Sequence, residues 1–212
     1  MDITNFRKVL VLAPHTDDGE LGAGGTIAKL IESGSDVYYA AFSTAEKSVP
    51  EGFPKDILKT EVKKATFRLG ITETHLLIYN YEVRKLNYVR QEILEELVRL
   101  RKQIDPDLIF LPSLNDLHQD HSTIAQEGLR AFKQKTILGY ELIWNNLTFS
   151  TSCFVQLGKS HIDKKCEALY EYASQRHRDY TSKEFIVSLA KTRGVQIGSE
   201  FAEAFEVIRL IV

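Results

Sequence analysis

Cysteine is scarce in this chain: 212 residues hold two, Cys153 and Cys166, which form no close-spaced pair. That excludes a disulfide-stapled scaffold and points to a reducing compartment. An apolar run long enough to span a bilayer is missing too. The first residues, Met1-Asp2-Ile3-Thr4-Asn5, have neither the basic nor the apolar region of an export signal. We therefore expect a cytoplasmic protein with no membrane span, in which the formal glycosylation sequon Asn146-Leu147-Thr148 has no use. Excess charge is also absent. Lys and Arg number 27 against 29 for Asp and Glu, a net charge of -2, so no nucleic-acid partner is expected. No Gly-Lys-Ser/Thr phosphate loop occurs. The run Gly22-Ala23-Gly24-Gly25 fails the dinucleotide pattern, because its third glycine would fall at Ile27.

What is present has a globular balance, 43% apolar and 26% charged, and a length suited to a single domain over residues 1–212. Val9 to Ala13 reads as a strand buried on both faces. It runs through Pro14-His15-Thr16-Asp17-Asp18-Gly19-Glu20 and the glycines into a helix expected from Ile27, closed by Gly34. Further strands are expected at Val37 to Phe42, Leu76 to Tyr79 and Leu108 to Leu111. Helices are expected at Ile57 to Leu69, ending on Gly70, at Glu92 to Ile104, ending before Asp105-Pro106, and at Ser122 to Phe132. This alternation predicts an α/β fold, a mostly parallel sheet with helices on both faces. The last third is less regular. Strands at Leu138 to Ile143 and Cys153 to Leu157 predict an antiparallel extension, with helices at Ile162 to Gln175 and Phe185 to Arg193 and a β-rich run from Phe201 to Val212.

Two polar clusters follow buried strands, where open α/β sheets place active sites. The first holds His15, Asp17 and Asp18; the second holds His118, Asp120 and His121. Imidazoles and carboxylates from two such loops suit a divalent metal of the zinc type, with a neighbouring carboxylate as general base. The bland reading is that His-x-x-Asp and His-x-x-His are turn chemistry, and that Asp116 and Ser122 merely cap the next helix. Arg84 follows a strand and precedes a helix, which would bring it to the same edge, where its planar fork would hold sugar hydroxyls or a phosphate; the bland reading is a solvated surface charge.

Pro14-His15-Thr16-Asp17-Asp18-Gly19-Glu20-Leu21-Gly22-Ala23-Gly24-Gly25-Thr26, with His118-Gln119-Asp120-His121, resembles the paired signatures of the PIG-L/LmbE-like zinc-dependent N-deacetylases. Arg193-Gly194 and Phe201-Ala202-Glu203-Ala204-Phe205 resemble that family's C-terminal pattern. Thr16 stands where many members have Pro, and Glu20 lies one position later than the commonest form. The resemblance implies a Rossmann-like fold and removal of an acetyl group from an N-acetylglucosamine-type sugar or glycoconjugate. It implies one Zn2+ per chain on His15, Asp18 and His121. Asp17 would be the general base toward the metal-activated water, and His118 a charged partner of the oxyanion or leaving amine. Asp120 would orient a histidine, and assembly into a homo-oligomer would be in keeping with many relatives. Competing readings are a zinc amidase releasing a larger acyl or thiol conjugate, a nucleotide-binding protein, and a metal-binding protein without catalysis.

Overall fold

The computed structural model describes residues 2–211. Its seven-stranded sheet has the order β3-β2-β1-β4-β5-β7-β6. The strands are β1 Lys8–Ala13, β2 Asp36–Ala41, β3 Leu76–Ile78, β4 Leu108–Pro112, β5 Thr136–Tyr140, β6 Cys153–Leu157 and β7 Phe201–Arg209. The first five run parallel, whereas β7 is antiparallel to both β5 and β6. The architecture is thus the expected Rossmann-like one, with its antiparallel part moved. The run near Leu138 belongs to the parallel set, and the antiparallel pairings are those that β7 makes with β5 and β6.

The central strands are buried on both faces because helices cover both. Val9, Val11 and Ala13 pack with residues of α1 (Asp18–Glu32), α2 (Ile57–Leu69), α5 (Lys159–Tyr170) and α6 (Lys183–Val195). Leu10 and Leu12 point the other way, toward α3 (Arg90–Ile104) and α4 (Gln119–Ala131). The α3 stripe Ile93, Leu97, Leu100 and Ile104 is almost wholly out of water, each side chain contributing roughly 1.5–3 kcal/mol. Gly70 ends α2 with φ +98°, a left-handed cap that costs glycine nothing.

Several boundaries differ from expectation. Helix α1 starts at Asp18 rather than Ile27, so Gly22, Gly24 and Gly25 lie inside it. Their reason is packing. A Cβ on Gly22 would overlap the Tyr140 ring, and one on Gly24 would stand 2.9 Å from Lys165 Cγ. Helix α4 starts at Gln119 rather than Ser122. Helix α5 ends at Tyr170, followed by a separate 3-10 turn at Ala173–Gln175. Strand β7 ends at Arg209, and Val212 lies outside the described residues.

Candidate active site and metal centre

Strands β1 and β4 are neighbours, and the sheet order runs outward in opposite directions from this pair. Their carboxyl ends therefore form the crevice where α/β sheets bind ligands. The loop after β1 brings His15 and Asp17 there, and the first residue of α1 brings Asp18; the loop after β4 brings Asp116 and His118, and the first turn of α4 brings Asp120 and His121. Beneath the first loop lies fully buried Glu20. The Tyr39 hydroxyl accepts from the Gly19 amide (3.1 Å) and meets both the Thr16 carbonyl (2.9 Å) and Glu20. The Tyr172 hydroxyl meets the same carbonyl at 2.7 Å and the other Glu20 oxygen at 2.9 Å. Each phenol has one proton for two acceptors. A protonated Glu20 supplies one of the two donors that these four contacts lack, and burial pushes its pKa up to about 8.

Three donor atoms converge above this support. His15 Nδ1 lies 3.2 Å from Asp18 Oδ2, His121 Nε2 lies 3.3 Å from the same oxygen, and the two nitrogens are 3.2 Å apart. Ligands about 2.0–2.1 Å from a shared centre at near-tetrahedral angles stand this far from each other. The opposite nitrogens are engaged by carboxylates. His15 Nε2 is 3.0 Å from Asp120, and His121 Nδ1 is 2.8 Å from Asp116. In the neutral form that binds a metal, each imidazole would keep its proton on the outward, carboxylate-facing nitrogen and turn a lone pair inward, as carboxylate–histidine–metal arrangements require. The donor set fits a dication. A wider grouping of His15, His118 and His121 nitrogens, within 4.8 Å, could also hold one. However, His118 Nδ1 already accepts from the Asp120 amide at 3.1 Å, as the N-cap of α4.

Electrostatics follow from this crowding. Burial opposes charge on both imidazoles, but Asp18 with Asp120 raises His15 to about 9, and Asp18 with Asp116 raises His121 to about 10. Burial disfavours the Asp18 carboxylate, yet His121 and His15 hold it well below the usual range. Burial and the Asp18 charge push Asp17 up to about 6. For His118, burial and then the neighbouring His121 and His15 lower the pKa to about 4. In the metal-free protein this favours the neutral ring.

A cleft of about 370 Å³ contains Asp17, Asp18 and the three histidines together with Arg84. Asp17 occupies the N-cap position of α1 without a capping hydrogen bond from its side chain. Arg84 is exposed, and its Nη2 donates to Ser48 Oγ at 3.3 Å. Its backbone has a second use. With φ +68° it turns its own N–H onto Asp120 at 2.6 Å, and the Leu86 N–H follows at 3.2 Å. Sequence reasoning offers Asp116 and Ser122 as helix caps; in the structure His118 is the N-cap of α4, Ser122 lies inside the helix, and Asp116 accepts from the His118 amide at 2.8 Å and faces His121, which spacing alone does not reveal. Trp144, Gln175, Arg178 and Tyr180 also line the cleft. They come from the irregular last third, where no periodicity ties them to a sheet edge.

The chain belongs to the PIG-L family, described as GlcNAc-PI de-N-acetylase, whose match covers residues 10–132. It is 30% identical over 135 residues to diacetylchitobiose deacetylase of Thermococcus kodakarensis, a match covering 60% of this chain and about half (49%) of that protein. Among solved structures, the conserved protein TT1542 from Thermus thermophilus aligns with TM-score 0.81 at 25% identity, covering 96% of this chain and 95% of its own. GalB of Pseudomonas putida, the 4-carboxy-2-hydroxymuconate hydratase, aligns with TM-score 0.80 at 19% identity, over 97% and 98%. That last likeness is one of fold alone, so the chemistry has to be argued from side chains. Among the described residues no helix is long and apolar enough to cross a membrane.

Proposed function

We propose that this protein is a zinc-dependent N-deacetylase that hydrolyses the acetamide of an N-acetylglucosamine-type sugar or glycoconjugate. The observation that carries the reading is the 3.2–3.3 Å triangle of His15, Asp18 and His121 beside a carboxylate, Asp17, that makes no capping bond. Membership of a de-N-acetylase family supports it, as does the match to a diacetylchitobiose deacetylase. Residues 1–212 act as one domain in this reading. The two free cysteines accord with a cytoplasmic enzyme.

His15, Asp18 and His121 would hold the zinc ion, which when bound supplies Lewis acidity toward an amide carbonyl and lowers the pKa of water. Asp17, with its pKa near 6, takes a proton from the attacking water at neutral pH. His118 has its Nδ1 occupied by the Asp120 amide, so its neutral ring carries the proton on Nε2. That N–H donates to the carbonyl oxygen as negative charge develops there. The proton held by Asp17 passes to the nitrogen as the carbon–nitrogen bond breaks, releasing acetate and a free amine. Arg84 at the rim contacts the sugar hydroxyls. Asp120 and Asp116 keep the two ligand imidazoles oriented.

The test is release of primary amine and acetate in equal amounts from N-acetylglucosamine glycosides, abolished by a chelator and restored by Zn2+. Release of a larger acid from other amides, with acetamides untouched, would favour the amidase reading. A metal-loaded protein that turned over no amide would refute the proposal.

A further inference from the structure

Helix α1 begins on an aspartate that does not do what aspartates in that place ordinarily do. An N-cap residue has extended backbone, and its side chain accepts from the N–H two or three places on. Two caps in this chain behave so: His118, with ψ 125°, takes the Asp120 N–H, and Ser182, with ψ 143°, takes that of Phe185. Asp17 caps nothing, and its φ of -105° and ψ of -8° lie in the helical region. The amide two places on, at Gly19, has a different acceptor. Tyr39 on β2, wholly out of water, receives the Gly19 N–H on its hydroxyl at 3.1 Å. Only glycine admits that approach, since a Cβ there would stand 2.5 Å from Tyr39 Cε2 and 2.7 Å from the hydroxyl. The same hydroxyl meets the Thr16 carbonyl at 2.9 Å, and Tyr172 meets that carbonyl at 2.7 Å. The peptide leading into Asp17 is thereby held in one plane. With no helix amide to hold, Asp17 lines the cleft beside Asp18 and the three histidines.

We propose that Tyr39 is a positioning residue for Asp17: its hydroxyl caps α1 at the Gly19 N–H in place of the Asp17 carboxylate, and so leaves that carboxylate free for the cleft. This role presupposes Asp17 as the base of the deacetylase reading above. A carboxylate that already accepts from a helix amide is a weaker proton acceptor, because the bond favours its charged form. Tyr39 is wholly buried, so it acts on the reaction only through the loop that carries Asp17.

Tyr39→Phe removes the hydroxyl and keeps the ring, so the vacated amide draws the Asp17 side chain onto the helix. In the zinc-loaded full chain, kcat on an N-acetylglucosamine glycoside should fall about 10- to 100-fold, with KM and zinc content within about 2-fold. In an Asp17→Asn background the same change should cost less than about 2-fold, because the base it places is gone. Tyr172→Phe loses the other phenol on Thr16 and Glu20 but leaves the Gly19 cap in place, and should cost less than about 3-fold. An unchanged kcat in Tyr39→Phe overturns the proposal. So do equal losses in Tyr39→Phe and Tyr172→Phe, or one fold-loss with and without Asp17, which would make the phenol a general support of the loop. A second arm needs no activity. Asp17→Ala ordinarily costs a capped helix roughly 5-fold in the folding equilibrium; by urea denaturation it should here cost less than about 2-fold. Tyr39→Phe should in turn cost about 5-fold more in Asp17→Ala than in the unaltered chain, where the carboxylate can take the amide. If the unaltered protein releases no amine from any acetamide, the deacetylase reading fails, and this arm alone judges the cap. A loss of about 5-fold or more in Asp17→Ala overturns it, whether or not Tyr39→Phe folds.

Discussion

Metal binding should be strongly proton-linked, and the site's own charges set the size of the effect. His15 and His121 are raised to about 9 and about 10 because both face Asp18, with Asp120 and Asp116 behind them. A ligand nitrogen must be deprotonated to hold a metal. At pH 7 proton competition therefore costs about two decades of affinity at His15 and three at His121, together on the order of 10⁵-fold. The sign is fixed by direction: affinity should rise about 100-fold per pH unit up to about pH 9, more gently to about 10, and then level. The metal-free protein has the opposite trend. Its two imidazolium–carboxylate interactions stabilise fully below the ordinary histidine value of 6.5 and are lost as pH rises through about 9 and 10. Competition titration against a chelator between about pH 6 and 8 gives the slope, and calorimetry in buffers of different ionisation enthalpy counts about two protons from the ligands. A flat affinity with no buffer dependence would show that the imidazoles enter the reaction neutral, and the charge assignment would be wrong.

Asp17→Asn should keep the metal yet lose about 10²- to 10⁴-fold in turnover, whereas Asp18→Ala should lose metal; zinc content and rate measured together decide, and the reverse pattern would exchange their roles. The acid limb of kcat/KM in the unaltered enzyme should lie near pH 6. A dication on neutral ligands replaces two imidazolium charges with an equal total, so Asp17 experiences a similar field; a limb that persisted in Asp17→Asn would belong to another group. Glu203→Ala leaves Lys165 buried without its partner and should cost about 3–5 kcal/mol in urea denaturation, so a loss below about 1 kcal/mol would deny the pair its role. Gly22→Ala, forced against the Tyr140 ring, should cost about 1–3 kcal/mol by thermal or urea unfolding.

The sequence announces the sheet because burial on both faces leaves a mark: Val9 to Ala13 and Leu108 to Leu111 are apolar at successive positions, as only doubly covered strands are. It also announces that His15, Asp18, His118, Asp120 and His121 share one edge, since both loops follow such strands. Which nitrogen faces which carboxylate is not written there. Asp120 serves His15 from the other loop and Asp116 serves His121 from its own, a crossing set by how β1 lies beside β4. The start of α1 escapes a reading of the sequence for a physical reason. Glycine weakens an isolated helix, so Gly19, Gly22, Gly24 and Gly25 read as loop, while in the folded chain they admit Tyr39, Tyr140, Lys165 and Leu157 against the helix backbone. Arg178 and Trp144 carry no periodic signal, and only the tertiary fold brings them to the cleft.

The same glycines explain how the far end of the chain bears on chemistry that lies near its start. Lys165 donates to the Leu21 carbonyl at 2.7 Å, and Glu203 accepts from the Gly25 and Thr26 amides at 3.0 and 2.7 Å. These are backbone groups inside a helix, where i to i−4 bonding normally occupies them. A carboxylate and an ammonium can reach them only where side chains are missing, at Gly24 and Gly25. Glu203 stands on β7, held antiparallel to β5 and β6, and Gly194 lets the turn before β7 close against the backbone of Ser199 and Glu200. The Arg-Gly and Phe-Ala-Glu-Ala-Phe stretches thus serve one end. They set a rigid strand whose carboxylate grips α1 at mid-length, about two turns from Asp18 at its first position. The metal triangle needs Asp18 Oδ2 at 3.2–3.3 Å from nitrogens carried by the β1 and β4 loops. A helix free to slide along the sheet by a fraction of a turn would lose that distance, and the Lys165–Glu203 grip is what opposes the slide.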